Sequence, residues 1–264
     1  YSKVEARFGG KIKFFVSGGA PLSKHLAEFF AAVDITILEG YGLTETSPVL
    51  TVNSPTELKF GYVGKPLFNV DIKIADDGEI LAKGPNIMSQ YYRNEEATKK
   101  VFDKDGWFHT GDIGIIDKDG FLKITDRKKS LIVTSGGKNI APAPIELKLA
   151  TSTLIEQVHV IGDKRNFLTA LIVPNFEALT SLLKSTGNDL KDPNALVEHP
   201  DVIELYNNEV DKAMDTFSNY EKIKKFTLLT EPFSIEKGEM TPKMSIVKKV
   251  VEQNYSEVIN NMYT

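Results

Sequence analysis

The pattern of apolar and polar positions changes period several times along the 264-residue chain. Ile12 to Val16, "IKFFV", is a short continuous apolar run and predicts a buried strand. "SGGAP", Ser17 to Pro21, breaks it. Leu22, Leu26, Phe29, Phe30 and Val33 then recur at helical spacing, with Ser23 placed to cap the helix. Ile35 to Leu38 predicts a second strand, ended by "EGYG". Strand–helix–strand units of this kind have parallel strands and a right-handed crossover. Both glycine bends are therefore expected beyond the carboxyl ends of neighbouring strands, where open parallel sheets bind ligands.

From about Gly61 the pattern shifts to short strands and tight turns. Val70 to Gly84 predicts a hairpin around Asp76-Asp77-Gly78. "DKDG" occurs at Asp103–Gly106 and again at Asp117–Gly120. Neither copy continues with the further ligands and distal Glu of a calcium loop, and Asp-Gly is a hairpin turn signal. Thr125 to Glu146 combines a charge cluster, a short apolar strand, a Gly-Gly loop and two prolines, which marks a boundary. Beyond it, "HVIG", "FLTALIVP" and Ile223 to Leu229 predict strands. Phe176 to Leu183 predicts a helix, and Val202, Leu205, Val210, Ala213, Met214 and Phe217 a long amphipathic one. The expected fold is α/β and α+β. Residues 1–126 would hold a parallel strand–helix–strand unit and an antiparallel β subdomain, and residues 127–264 a small mixed α/β domain.

Composition narrows the function classes. With 32 basic and 36 acidic residues, net charge −4, there is no basic excess for a nucleic-acid partner. Cys is absent, so disulfides, thiolate metal sites and Cys nucleophiles are excluded, and a reducing cytoplasmic location is the expectation. No apolar run reaches the ~18 residues of a membrane span. The opening "YSKVEARFGG" shows no signal peptide and no initiating Met, and reads as part of a longer chain.

Two stretches carry candidate chemistry. In "EGYGLTET", Gly40 and Gly42 remove side chains so that the backbone can approach a ligand. Tyr41 between them could lie against a purine, Thr44 could reach a phosphate oxygen, and Glu45 is a hard oxygen ligand for Mg²⁺. The simpler reading is a pair of turn glycines with a packed tyrosine. In "GWFHTGDIG", Asp112 follows Gly111, and its carboxylate is expected on an exposed bend, able to accept both ribose hydroxyls. Trp107 is expected to anchor the core, and His109 to be a hydrogen-bonded loop residue. No Ser–His pairing suggests a nucleophilic triad.

"SGGAPL", "EGYGLTET", "GEILAKGPNIMSQYY", "GWFHTGDIGIIDKDGFLKITDRKK" and "GGKNIAPAPIE" occur in this order along the chain. Together they resemble the AMP-forming adenylating superfamily, and within it the long-chain fatty acid–CoA ligases. The resemblance implies that Gly19, Ala20, Pro21 and Tyr41, with Gly42 beside it, frame an adenine. Thr44 would touch the α-phosphate, Glu45 would bind Mg²⁺, and Asp112 would hold the ribose with help from Arg127. It implies a hinge at 127–129 centred on Lys129. The loop of Gly136, Gly137 and Lys138 would line the path of the coenzyme A arm.

The implied reaction joins a fatty acid to AMP at the expense of ATP, then passes the acyl group to coenzyme A. A lid turning about Lys129 would supply different groups to the two steps. A long-chain substrate would favour loose contact with a bilayer, although no basic amphipathic anchor stands out. Two departures from the family pattern matter. The phosphate loop and most of the acyl tunnel are missing, which implies the C-terminal part of an enzyme of about 600 residues, inactive by itself. In "MTPKMSIVKK" Ser245 occupies the position of the family's adenylation lysine. Lys243 is the chosen substitute, with Lys248 as the alternative, and all these lysines could instead face solvent. Other readings are an acyl-AMP ligase that loads a carrier protein and an inactive nucleotide-binding module.

Overall fold

The computed structural model describes residues 6–185 and 190–264; Tyr1 to Glu5, part of the opening stretch, lie outside the described residues. The chain divides into two compact units, Tyr1–Lys129 and Ser130–Thr264.

The first unit begins with β1 (Phe15–Ser17), α1 (Lys24–Ala32) and β2 (Ile37–Gly42). β1 and β2 are parallel, with Ser17 opposite Glu39. Two boundaries differ from expectation. Ile12 to Phe14 do not join β1, because pairing with β2 starts at Phe15 opposite Ile37. The second difference concerns "EGYG", which does not end β2 but continues it. Gly40 pairs with Val52 of the antiparallel β3 (Val49–Val52), and β4 (Lys65–Pro66) completes the sheet in the order β1-β2-β3-β4. The glycines make room for the chain itself. A Cβ on Gly42 would lie 1.7 Å from the Pro48 carbonyl oxygen. Ser23 sits at the N-cap of α1 without a side-chain capping bond.

The second sheet of this unit is an antiparallel meander of β5 (Asp71–Ile74), β6 (Glu79–Lys83), β7 (Phe108–Ile116) and β8 (Leu122–Arg127). Both "DKDG" copies are turns. Asp117 Oδ1 accepts the Asp119 and Phe121 amides, and Asp103 Oδ1 accepts those of Asp105 and Trp107. A helix, α2 (Glu95–Val101), is capped by Asn94, which accepts the Ala97 amide at 3.0 Å. Tyr41, Leu50, Val70, Ile80, Ala82 and Leu122 form the core. Trp107 is not its anchor. It is only half-buried, with the Lys73 ammonium 4.2 Å from its ring centre, while the neighbouring Phe108 is buried. His109 lies on β7 rather than in a loop.

The second unit opens with a hairpin of β9 (Ile132–Val133) and β10 (Asn139–Ile140) and the helix α3 (Pro142–Leu149). Its sheet has the order β11-β12-β13, from β11 (Ile155–Ile161), β12 (Leu168–Pro174) and β13 (Ile223–Leu228). Every residue of the central β12 is buried, as expected for a strand covered on both faces. Residues of α3, α4 (Phe176–Ser185), α5 (Pro193–Glu198) and α6 (Pro200–Met214) pack into one core with β11 to β13. A second cluster holds α7 (Lys248–Asn254) and α8 (Ser256–Asn261). Among the described residues, no helix is long and apolar enough to cross a membrane.

Candidate functional site

The first unit brings Tyr41, Asp112 and Arg127 together. Along β7 the inward residues alternate: Phe108, Thr110 and Asp112 are all buried. Asp112 therefore stands on the buried face of a strand and not on an exposed bend. Strand periodicity, rather than the preceding Gly111, sets its direction. The Tyr41 hydroxyl donates to Asp112 Oδ2 at 2.6 Å. Arg127, opposite Asp112 in the β7–β8 register, donates from Nε to Oδ1 at 3.1 Å. Its side chain is 71% exposed and that of Asp112 only 6%, so the pair runs from the interior to the rim.

Tyr41 is held by this bond and is not free to reorient. Burial, then the adjacent Asp112 charge, pushes its phenol far above the usual tyrosine range, so the hydroxyl stays a donor. Each carboxylate oxygen has two lone pairs. With one donor on each oxygen, Asp112 retains acceptor capacity for further hydroxyls. On the parallel neighbour, Gly18 lies beside Gly40: a Cβ there would be 3.3 Å from the Gly40 carbonyl oxygen. Gly19, Ala20 and Pro21 follow as exposed chain, Gly19 with φ +78°.

Thr44 and Glu45 lie in a short 3₁₀ turn, Thr44–Thr46. Thr44 is exposed and Glu45 half-buried. The turn is braced by residues to which the sequence assigned no role. Tyr91 donates from its hydroxyl to Glu45 Oε1 at 2.9 Å. The Met88 amide donates to the Glu45 carbonyl at 2.8 Å. Asn86 Nδ2 donates to the carbonyls of Thr46 and Val49 at 2.9 and 2.8 Å. The "GPNIMSQYY" stretch is thus the support of the Thr44–Glu45 turn. No local pattern marked Asn86 for this role, because its partners lie 40 and 37 positions away.

A charged cluster secures the end of this unit. Lys128 Nζ is 2.6 Å from Asp77 Oδ2 and 2.9 Å from Glu79 Oε2, and His109 Nδ1 is 2.8 Å from the same Glu79 oxygen. Burial works against ionisation of Glu79, but His109, Lys128 and the Gly111 amide outweigh it and keep its pKa below the usual value. Lys129, next in the chain, is exposed.

In the second unit the predicted glycine loop is the tip of the β9–β10 hairpin. The Thr134 amide donates to the Lys138 carbonyl at 3.0 Å and the Gly137 amide to the Thr134 carbonyl at 2.9 Å. Gly136, Gly137 and Lys138 are exposed, with φ +74° at Gly137. Lys243 occupies a second tight turn. The Met244 amide donates to the Thr241 carbonyl, and the Thr241 amide to the Ser245 carbonyl, both at 2.8 Å. Lys243 is exposed there, whereas Lys248 is committed: its Nζ donates to the Ser130 carbonyl at 3.1 Å.

Comparison with known proteins identifies the family of the chain. Residues 2–92 match the AMP-binding enzyme family, and residues 129–264 match the AMP-binding enzyme C-terminal domain. The long-chain-fatty-acid–CoA ligase FadD15 of Mycobacterium bovis is 43% identical over 267 aligned residues, covering 100% of this chain and 44% of that protein. The peroxisomal long chain acyl-CoA synthetase 6 of Arabidopsis thaliana is 35% identical, covering 100% and 40%. The chain thus spans less than half the length of these relatives. Among solved structures, the A-PCP didomain of carboxylic acid reductase from Segniliparus rugosus, in complex with AMP, superposes with a TM-score of 0.78 at 25% identity, covering 100% of this chain and 36% of that one. The o-succinylbenzoate coenzyme A synthetase of Bacillus subtilis, with ATP and a magnesium ion, superposes with 0.68 at 26% identity, covering 94% and 49%. With residues 2–92 and residues 129–264 each matched by a domain of that family, the chain belongs to the AMP-binding enzyme family.

Proposed function

We propose that this chain forms the adenylate-holding face and the C-terminal domain of an ATP-dependent long-chain fatty acid–CoA ligase. The observation that carries the reading is the Tyr41–Asp112–Arg127 set, which offers a buried aromatic edge, spare carboxylate acceptors and a rim cation at one place. An adenosine monophosphate moiety has the matching parts: a flat ring, a vicinal diol and an anion. Gly19, Ala20 and Pro21 form the second wall beside the ring, with Gly42 following Tyr41 on β2. Thr44, exposed on its braced turn, reaches the α-phosphate.

The fatty acid carboxylate attacks the α-phosphorus of ATP, and the bond to the β-phosphate oxygen breaks with release of pyrophosphate. The coenzyme A thiolate then attacks the acyl carbonyl, and AMP leaves. Glu45 is the residue that would hold Mg²⁺. Among the described residues, one of its oxygens is taken by Tyr91, the other is open, and no group of three metal-ligating side chains converges. That donor set fits an ion arriving on the nucleotide phosphates, which would neutralise their charge. Lys243 is the cation for adenylation, because Lys248 is engaged by Ser130. Lys129 is the pivot at 127–129, and Gly136, Gly137 and Lys138 border the coenzyme A arm. The protein acts from the cytoplasm with loose contact with its lipid substrate's bilayer.

The test is fatty acid-dependent pyrophosphate release by the full-length protein with and without coenzyme A. Release with thioester formation supports the reading. Release without thioester points to an acyl-AMP ligase that loads a carrier protein. Ser245 in place of the usual lysine favours the remaining reading, an inactive nucleotide-binding module, for which AMP binding without any release is the expected result.

A further inference from the structure

His159 on β11 is fully enclosed, yet it faces a carboxylate on each side. Glu146 Oε1 of α3 is 3.4 Å from Nδ1, and Glu252 Oε1 of α7 is 3.2 Å from Nε2. The same Glu146 oxygen accepts the Val160 amide at 2.9 Å. Across the sheet, the residue paired with His159 on β12 is the apolar Leu171. A neutral imidazole has one N–H and one lone pair, so one of its nitrogens would turn a lone pair toward a carboxylate. Only the imidazolium is attracted by both. Burial opposes that charge, but Glu146 and Glu252 outweigh it and raise the His159 pKa. Burial likewise opposes ionisation of Glu146, and His159, the Val160 amide and Lys248 overcome it.

α7 uses three polar side chains to tie three segments. Lys248 holds the Ser130 carbonyl, Glu252 faces His159, and Asn254 Nδ2 donates to Glu239 Oε1 at 2.9 Å. Glu239 is itself buried, and its backbone carbonyl accepts the Val247 amide at 2.7 Å. It forms the base of the turn that presents Lys243.

We propose that protonated His159 is a positioning residue that clamps α7 against β11 and α3, and so holds the Lys243 turn in register with Ser130. The role of Lys243 rests on the function proposed above, whereas the clamp does not. A group whose folded pKa is raised contributes fully below its unfolded value, about 6.5 for His, and is lost as pH rises through the folded value. The clamp therefore releases on the alkaline side.

Hydrogen exchange of the full-length protein, corrected for intrinsic rates, tests this between about pH 6 and about pH 10. Wild-type protection of residues 239–254 is expected to fall with rising pH by about tenfold, while β12 stays protected. His159→Gln is expected to show the low level throughout and slower adenylation at neutral pH. Glu252→Gln, which removes one of the two stabilising carboxylates, is expected to move the fall to lower pH, and it serves if His159→Gln does not fold. A pH-independent wild-type profile overturns the clamp, as does a Glu252→Gln profile that falls where the wild type does. If exchange follows His159 but fatty acid-dependent pyrophosphate release is absent, the ligase reading fails and the clamp stands. Release with pH-independent exchange sinks the clamp alone.

Discussion

The Tyr41 hydroxyl donates to Asp112 Oδ2 at 2.6 Å, joining residues 71 positions apart and on different sheets. One buried hydrogen bond thereby fixes the ring on β2 against the carboxylate on β7. Tyr41→Phe keeps the ring and removes the donor. The carboxylate loses one partner but remains tied to Arg127, so a stability loss of about 1–3 kcal/mol is expected. Denaturant melts with and without AMP would read both that loss and a weaker AMP affinity. Unchanged affinity would count against the proposed ribose role of Asp112.

Gly42 has no space for a methyl group. Its Cβ would meet the Pro48 carbonyl oxygen at 1.7 Å and Val49 Cα at 2.8 Å, both backbone atoms that cannot swing aside. Gly42→Ala is expected to cost about 3 kcal/mol or more. Thermal unfolding checks this, and a melting temperature equal to wild type would mean that the β2–β3 bulge relaxes freely.

Glu79 has its pKa depressed, so the stability it supplies is present above its unfolded value of about 4.3 and is lost as pH falls through the folded value. Glu79→Gln is expected to lower stability at pH 7 by about 2 kcal/mol and to flatten the acid limb of stability against pH. An acid limb as steep as that of the wild type would assign the acid sensitivity elsewhere.

The two candidate lysines should separate by the property they affect. Lys243→Ala is expected to slow adenylation on the order of 100-fold while leaving the melting temperature unchanged, because the side chain is exposed. Lys248→Met removes the bond to the Ser130 carbonyl and is expected to lower the melting temperature. Single-turnover rates beside melting curves decide it, and the reverse pattern would exchange the two assignments.

Much of the architecture was legible in the chain. Helical spacing placed α1, α4 and α6, the apolar run placed β12, and Asp-Gly turns placed the meander. The site was legible as a set of motifs, but the motifs did not say how each residue would be held. The alternation of Phe108, Thr110 and Asp112 could have shown Asp112 facing inward, and the glycine before it suggested a bend instead. Tyr91, Asn86 and Glu79 act through partners 30 or more positions away, and no local pattern marks such pairings.

Family membership, the order of elements and the types of side chain available are properties of the linear chain, because they follow from short-range periodicity and motif chemistry. Folding settled which groups meet. It packed β2 against β3 so tightly that Gly42 serves its own chain. It buried Asp112 against Tyr41 with Arg127 reaching in from the rim, and it enclosed His159 between two glutamates. Those outcomes depend on burial and on charges brought within a few ångströms, and both arise only when distant segments pack.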